Sequence, residues 1–161
     1  MELLDLYDDF GNKTGKVIER GTKFESGNVM LSIIFIKNSN NQYLVQKTSE
    51  EKDSIFSSTG GHVTHNENGL NTIVRELEEE LGLVIDKDEI KFIDFLKMPN
   101  KRCVVNLYLL EKDVELKNLK LQQEEVEYVK WMSGKEILNL INKEQFQASH
   151  AYLFQKYFFK D

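Results

Sequence analysis

The chain has 161 residues, of which 40% are hydrophobic and 30% are charged, and its formal net charge is −6. This length and apolar share predict a single globular domain over residues 1–161 and argue against a disordered chain. The negative charge argues against binding to duplex nucleic acid or an anionic membrane, and the single cysteine excludes an internal disulfide, so we expect a cytoplasmic protein.

The first predicted element is an N-terminal β-hairpin over about residues 1–21. Residues 3–7 and 16–19 have strand character, and they flank a segment rich in turn-forming residues, DDFGNKTG. This acidic start lacks the basic and apolar parts of a secretion signal, and no later apolar segment is long enough to span a bilayer. We therefore expect a soluble protein, and the sequence leaves open whether the hairpin pairs two chains into a homodimer.

Further strands predict a central sheet. Five segments have the apolar, β-branched composition of sheet strands: 29–37, 42–47, 90–97, 102–111 and 126–132. The first, VMLSIIFIK, predicts a buried strand, and the second is its expected hairpin partner. Two C-terminal helices should follow, one capped by Ser133 and ending at Asn142, and a last one over about residues 144–159. This order predicts an α/β fold, a mixed sheet covered by helices on both faces.

An amphipathic helix is predicted before Gly82, which should form its C-terminal cap. Its apolar stripe consists of Leu70, Ile73, Val74, Leu77 and Leu81. Glu76, Glu79 and Glu80 fall within an arc of roughly 100°, centred nearly opposite that stripe, so we expect three carboxylates to converge on one face. Gly69 lies on the same face, where the missing side chain would leave room for a ligand.

Three glutamates at this spacing predict a site for a hard divalent cation. Like charges three and four residues apart repel, at a cost of roughly a few tenths of a kcal/mol per pair. A bound Mg²⁺ or Mn²⁺ would offset this cost, because these ions prefer carboxylate oxygens. The alternative is a solvated, glutamate-rich helix face, which is the usual role of a charged run.

A longer pattern that includes this helix favours the metal site. From Gly61 the chain has five residues, Glu67, seven residues, Arg75-Glu76-Leu77, one residue, Glu79-Glu80, one residue and Gly82-Leu83. This segment, residues 61–83, resembles the Nudix box without a departure. The resemblance implies the Nudix fold, an α/β/α sandwich around a mixed sheet. It also implies cleavage of the diphosphate linkage in a nucleoside diphosphate joined to another group.

The resemblance further implies roles for single residues. Glu76, Glu79 and Glu80 would bind Mg²⁺, with Mn²⁺ as a substitute, together with the backbone carbonyl of Gly60. Arg75 would orient Glu76 by a charge-assisted hydrogen bond. A carboxylate beside the attacking water can accept its proton, so we expect Glu76, or else Glu79, to be the general base.

Residues outside the helix give further candidates. Glu124 and Glu125 precede a strand at a place where Nudix proteins often supply an extra acidic ligand or base, and the alternative is an exposed charge run. His62 and His65 lie near the loop of the box, where they either contact phosphate or are simply solvated. His150 is expected on a helix surface.

Other features are predicted to be structural. Glu67, the first glutamate of the box, should hold the loop and the helix together or contact the metal through water. Cys103 lies in an apolar strand pattern, which predicts a buried, unreactive thiol. The aromatic residues near the C-terminus should pack against the sheet rather than stack on a base.

Two other functions compete with hydrolysis. The segments DLYD, TGK and ERG near the N-terminus resemble the isopentenyl-diphosphate-isomerase-like branch of Nudix proteins, which implies isomerisation of a prenyl diphosphate. That isomerase carries its active cysteine just ahead of the box, where this chain has Ser57-Ser58-Thr59. The second alternative is a nucleotide-sensing Nudix module without catalysis, although such modules usually lose the box carboxylates. We therefore predict a hydrolase of a small diphosphate-containing substrate.

Overall fold

The computed structural model describes residues 2–159 of the chain. The elements are β1 (Leu3–Tyr7), β2 (Lys13–Glu19), β3 (Val29–Lys37), β4 (Gln42–Thr48), β5 (Phe56–Ser57), β6 (Thr59–His62), α1 (Gly69–Leu81), β7 (Ile90–Lys97), β8 (Cys103–Glu111), β9 (Val126–Ser133), α2 (Gly134–Asn142) and α3 (Ala148–Tyr157). Met1, Lys160 and Asp161, at the ends of the predicted domain, lie outside the described residues. No helix within residues 2–159 is long and apolar enough to cross a membrane.

The central sheet is mixed and has seven strands. Five of them follow the order β5-β4-β3-β8-β7, while β6 pairs with β3 and β9 pairs with β4. β3 and β8 are parallel, and the other pairings are antiparallel. The predicted hairpin of β3 and β4 is present, with Lys37 opposite Tyr43. Beyond this turn the two strands diverge, since residues 31–34 of β3 pair with β6 and β4 pairs with β9.

Helices cover both faces of this sheet. Side chains of β3 alternate between the faces, so its apolar residues contribute to a hydrophobic cluster on each side. One face packs against α1 in a cluster that includes Ile34, Ile36, Ile73, Leu77 and Leu81. The other face packs against α2 and α3 in a cluster that includes Ile33, Phe35, Ile137, Leu153 and Phe154. The predicted α/β fold, with helices on both sides of a mixed sheet, is therefore confirmed.

The N-terminal hairpin forms a separate two-stranded sheet of β1 and β2. Its second strand begins at Lys13, three residues earlier than predicted. The Asp8 carboxylate accepts hydrogen bonds from the backbone N–H groups of Phe10 and Asn12, and it thereby closes a short turn. Lys13 is then already opposite Tyr7 in the ladder.

The last helix is shorter than predicted, because it begins at Ala148 rather than near Glu144. Glu144 has a φ of 58°, in the left-handed region, which ends the preceding helical segment. Phe146 then forms an isolated bridge with Phe56, and the Gln147 side chain caps α3 by accepting from the backbone N–H of His150.

His150 is also buried, contrary to the prediction of a helix-surface residue. Its Nδ1 lies 2.7 Å from the hydroxyl oxygen of Ser58 and 3.2 Å from the backbone nitrogen of the same residue. Burial lowers the pKa of His150 to about 4, so the ring is neutral at pH 7. The histidine thus joins α3 to the segment that leads into β6.

Candidate metal centre

A cleft of about 200 Å³ lies beside α1 and β6. Its lining is almost entirely polar or charged and consists of Glu2, Arg20, Lys52, Gly60, Gly61, His62, Arg75, Glu76, Glu79, Glu80, Gln122 and Glu125. The structure thus brings together every residue that the box resemblance assigned to metal binding or catalysis. Gln122 and Glu125 come from the segment before β9, and Glu2 and Arg20 come from the N-terminal hairpin.

Glu76 reaches the cleft across the backbone of Gly61. A β-carbon at position 61 would stand 2.6 Å from both Cδ and Oε1 of Glu76, closer than such atoms approach in proteins. The neighbouring Gly60 is also closely packed, since a β-carbon there would lie 3.0 Å from the carbonyl oxygen of Ser32. Gly61 therefore lets the carboxylate lie directly against β6, whereas Gly60 lets β6 pack closely on β3.

Arg75 connects the acidic side chains along the cleft. Its Nη1 donates to Oε1 of Glu76 at 2.9 Å and to Oε2 of Glu79 at 3.1 Å. Its Nε and Nη2 donate to the two carboxylate oxygens of Glu67. The contact with Glu76 is the one expected of an orienting residue.

Glu67 does not line the cleft but ties the loop of the box to the helix. It accepts hydrogen bonds from the hydroxyls of Thr64, in the loop, and Thr72, in α1. The hydrogen bonds from Arg75 lower the pKa of Glu67 to about 2. This arrangement supports the structural role predicted for the residue.

Glu80 is buried, with 9% of its surface exposed, and this corrects the expectation that it lies opposite the apolar stripe. Seven residues at about 100° each bring Glu80 to within roughly 20° of Ile73, a residue at the centre of the buried face. Its Oε1 accepts a hydrogen bond from Nε2 of Gln46 at 3.3 Å. Its Oε2 is the one buried side-chain oxygen in residues 2–159 that accepts no hydrogen bond, and the Glu80 carboxyl group lies against that of Glu76.

The electrostatic state of Glu80 and Glu76 favours a bound cation. Burial and the negative charge of Glu76 raise the pKa of Glu80 to about 8. Burial also raises the pKa of Glu76, against the opposing effect of Arg75. A cation beside these groups would stabilise their ionised forms and give Oε2 of Glu80 a partner.

Gly69 lies in the same buried sector of α1 and does not face the cleft. A β-carbon there would stand 2.6 Å from Nδ2 of Asn106 and 2.8 Å from the hydroxyl oxygen of Tyr108. The hydroxyl of Ser32 donates to the Gly69 carbonyl at 2.8 Å. The missing side chain thus permits close packing of α1 on the sheet, and the prediction that it leaves room for a ligand is wrong.

These residues fit a hard divalent cation in chemistry, since all the candidate donors are oxygens and one of them, Oε2 of Glu80, is a buried carboxylate oxygen that accepts no hydrogen bond from the described residues. Within residues 2–159, no three Asp, Glu, His or Cys side chains are already grouped as they would be around a metal ion. Instead, Arg75 contacts Glu76 and Glu79, while Gln46 contacts Glu80. The ligand set therefore stays a prediction.

The structure separates the two acidic candidates before β9. Glu125 lines the cleft and forms an ion pair with Lys52 at 3.0 Å, and its negative charge also contributes to the raised pKa of Glu80. Glu124 is exposed and is not part of the lining. Glu124 is therefore an exposed charged residue, as the alternative interpretation predicts, whereas Glu125 belongs to the cleft.

The two histidines near the loop of the box have different surroundings. His62 lines the cleft, and burial lowers its pKa. His65 instead lies 3.1 Å from a carboxylate oxygen of Asp5, and its backbone N–H donates to the carbonyl of Leu3 at 2.7 Å, so it joins the box loop to the N-terminal hairpin.

Cys103 is buried at the start of β8 and does not line the cleft. Burial raises the pKa of its thiol to about 11, so the group is protonated at pH 7. The prediction of a buried thiol is confirmed.

Sequence reasoning missed five residues of this region: Glu2, Arg20, Gln46, Lys52 and Gln122. A signal existed only for Gln46, a polar side chain in an otherwise apolar strand pattern, YLVQ. Its burial shows that it must have internal hydrogen-bond partners. The other four residues lie in segments whose approach to the cleft depends on the tertiary fold.

Comparisons with known proteins identify the family of this chain. A family model described as NUDIX domain matches residues 29–157. The chain is 32% identical over 164 residues to Nudix hydrolase 3 of Arabidopsis thaliana, a match that covers 89% of this chain but only 21% of that much longer protein. It is 30% identical over 153 residues to an uncharacterized Nudix hydrolase of Listeria monocytogenes, with 91% of this chain and 88% of that protein covered.

Solved structures show the same fold. The crystal structure of DR0079 from Deinococcus radiodurans has a TM-score of 0.84 and 19% identity, and covers 98% of this chain and 100% of that one. A MutT protein from Methanosarcina mazei has a TM-score of 0.63 and 19% identity, and covers 83% of this chain and 95% of that one. At these identities the likeness concerns the fold alone.

Proposed function

This chain belongs to the NUDIX family and is a Nudix hydrolase, and from that premise we propose that it is a Mg²⁺-dependent enzyme acting on a nucleoside diphosphate joined to another group. The proposed reaction is hydrolysis of the diphosphate linkage. The observation that carries the proposal is a pair of neighbouring carboxyl groups, Glu76 and Glu80, in a cleft that also holds Glu79, where Oε2 of buried Glu80 accepts no hydrogen bond from residues 2–159.

The proposed metal ligands are the carboxylates of Glu76, Glu79 and Glu80 and the backbone carbonyl of Gly60. When bound, the divalent cation neutralises charge on the diphosphate oxygens and orients the attacking water. Arg75 keeps Glu76 in place from one side and the absent side chain of Gly61 admits it from the other.

In the proposed reaction, water attacks one phosphorus of the diphosphate. The bond from that phosphorus to the bridging oxygen breaks, and the bridging oxygen leaves with the electron pair as part of the second phosphorylated product. Glu76 accepts the proton of the water, with Glu79 as the alternative base. The side chain of Glu76 is 15% exposed and that of Glu79 is 51% exposed, so Glu76 is the better shielded from solvent.

An anionic substrate would need a cation in this cleft, because its glutamates outnumber its basic side chains. Arg20, Lys52 and Arg75 line the cleft, and each already forms an ion pair with at least one glutamate. A divalent cation would offset the excess acidic charge that otherwise repels phosphate oxygens. The proposed partner is accordingly a small diphosphate compound.

Two alternatives, a prenyl diphosphate isomerase and a nucleotide sensor, predict different outcomes in the same assay. Isomerisation through a cysteine is disfavoured, because Cys103 is buried, protonated and outside the cleft lining. A sensor is disfavoured by the complete set of box carboxylates. The cytoplasmic location, the single domain over residues 1–161 and a homodimer stay predictions.

The proposal is tested by incubating the purified protein with Mg²⁺ and a panel of compounds, with identification of each product. The panel contains nucleoside triphosphates, ADP-ribose, dinucleoside polyphosphates and isopentenyl diphosphate. We expect Mg²⁺-dependent hydrolysis of one class. Conversion of isopentenyl diphosphate alone would support the isomerase, and binding without turnover would support the sensor.

Variants of α1 connect any activity to the cleft. We expect Glu79→Gln and Glu80→Gln to lower turnover by at least about a hundredfold. Glu78→Gln is the matched control, because Glu78 is exposed on the same helix and is not part of the cleft lining. Normal turnover in both Glu79→Gln and Glu80→Gln would refute the assignment.

A further inference from the structure

Gln46 is a buried amide that connects the sheet to Glu80. It belongs to β4, and 4% of its surface is exposed. The hydroxyl of Thr59, in β6, donates to Oε1 of Gln46 at 2.8 Å. Nε2 of Gln46 in turn donates to Oε1 of Glu80 at 3.3 Å. The three side chains form a buried relay from β6 through β4 to α1.

The order of donors and acceptors in this relay determines how the amide is oriented. Because the amide oxygen of Gln46 accepts from Thr59, its NH₂ group is turned toward Glu80. A side-chain amide has one acceptor oxygen and one donor nitrogen, so this orientation presents a donor to the carboxylate.

The two carboxylate oxygens of Glu80 have different surroundings. Oε1 accepts a hydrogen bond from Gln46, whereas Oε2 accepts none within residues 2–159, and the carboxyl group lies against that of Glu76. Burial of an unpartnered carboxylate oxygen is costly unless another group fills its place. The hydrogen bond to Oε1 therefore fixes the orientation of the carboxylate, and Oε2 remains available to a cation.

We propose that Gln46 is a positioning residue of the metal centre, which holds Oε1 of Glu80 so that Oε2 is presented to the divalent cation. Thr59 assists by fixing the orientation of the Gln46 amide. This inference rests on the proposed function, because it requires Glu80 to be a metal ligand. Hydrogen-bond partners of metal ligands commonly change metal affinity by about 10- to 100-fold when they are removed.

A purely structural role for Gln46 makes a different prediction. Its loss would then lower the stability of the fold and leave the affinity for the cation unchanged. The deciding quantity is therefore the dissociation constant of the metal itself, measured without substrate. Binding of Mn²⁺ is suitable, because the electron paramagnetic resonance signal of free Mn²⁺ falls as the ion binds.

The experiment compares Mn²⁺ binding by the wild type, Gln46→Met, Thr59→Val, Glu80→Gln and Gln42→Met. Methionine keeps the length of glutamine without its donor, and valine keeps the shape of threonine without its hydroxyl. Gln42 lies on the same strand, where its side chain contacts Asn38 instead of the cleft, so Gln42→Met is the matched control. Melting temperatures without metal are measured in parallel.

We expect Glu80→Gln to have the largest effect, Gln46→Met to weaken Mn²⁺ binding by about tenfold or more, and Thr59→Val to weaken it less. Gln42→Met should bind like the wild type. Unchanged affinity in Gln46→Met, with a clear loss in Glu80→Gln, overturns the inference and leaves the proposed function intact. If Glu80→Gln binds Mn²⁺ normally, the inference falls, because Glu80 is then not a metal ligand. If the wild type does not bind Mn²⁺, the inference and the proposed metal-dependent function both fall. Should Gln46→Met not fold, wild-type affinity in Thr59→Val overturns the inference.

Discussion

Arg75 and Glu67 form a two-point ion pair, in which Nε lies 2.7 Å from Oε2 and Nη2 lies 3.0 Å from Oε1. The pair joins the loop before α1 to the second turn of the helix. It also holds the guanidinium in the position from which Nη1 reaches Glu76. Glu67 is therefore part of the support of the cleft and not of its lining.

Replacement of Glu67 by Gln should reduce stability in a pH-dependent way. We expect the free energy of unfolding to fall by about 1–3 kcal/mol at pH 7, because the charge-assisted hydrogen bonds to Arg75 are lost. The pKa of Glu67 is lowered from 4.5 to about 2 in the folded protein. Its contribution is thus complete above the unfolded pKa and is lost as the pH falls from 4.5 toward 2. Urea unfolding at several pH values should show the difference between wild type and variant shrinking over this range, and a constant difference would contradict the assignment.

Gly61→Ala should impair the cleft without unfolding the protein. The added β-carbon would meet the Glu76 carboxylate at 2.6 Å, and this flexible side-chain end can move aside. We expect turnover to fall by at least about tenfold, since small displacements of catalytic groups are costly, with little change in melting temperature. Gly134→Ala is the control, because a β-carbon there meets its nearest neighbour at an ordinary 3.4 Å. Equal turnover in the two variants would show that Glu76 does not need its present position.

Glu124 and Glu125 should respond differently to the same substitution. Glu125 lines the cleft, whereas Glu124 is exposed outside it. We therefore expect Glu125→Gln to lower turnover by about tenfold or more, the effect typical of a group that supports a metal site, and Glu124→Gln to leave it unchanged. Steady-state kinetics with Mg²⁺ measure both. An effect of Glu124→Gln as large as that of Glu125→Gln would contradict this distinction.

The Cys103 thiol should be nearly inert in the folded protein. It is buried, and its pKa is raised from 9.0 to about 11. Because the thiolate is the reacting form, alkylation by iodoacetamide at pH 8 should be at least about a hundredfold slower in buffer than in urea. Similar rates in the two conditions would show an accessible thiol and would revive the isomerase alternative.

Local patterns predicted the elements whose signals lie within a few neighbouring residues. The apolar run of β3, the cap of α1 at Gly82 and the capping of α2 by Ser133 are all found in the structure. The start of α3 was misplaced, because the left-handed backbone at Glu144 and the bridge of Phe146 to Phe56 depend on the tertiary fold.

The sequence predicted which residues of α1 belong to the site, but it did not predict how deeply they are buried. The residues of the box identified α1 and its carboxylates, and the structure brings them to one cleft. The burial of Glu80 was missed, because Leu70 and Val74, which are only partly buried, shifted the apparent apolar stripe away from its true centre near Ile73. Gln46 was missed because its contacts to Thr59 and Glu80 join three elements that are far apart in the chain.

The most direct test of the metal centre is a crystal structure of the protein soaked in Mn²⁺, with the ion located by its anomalous scattering. The account predicts a peak in the cleft within about 2.0–2.5 Å of carboxylate oxygens, with Oε2 of Glu80 among them and with Glu76 or Glu79 as a further ligand. A clear map in which the cleft holds no anomalous peak at a saturating Mn²⁺ concentration, with Glu80 still bound only to Gln46, would contradict it.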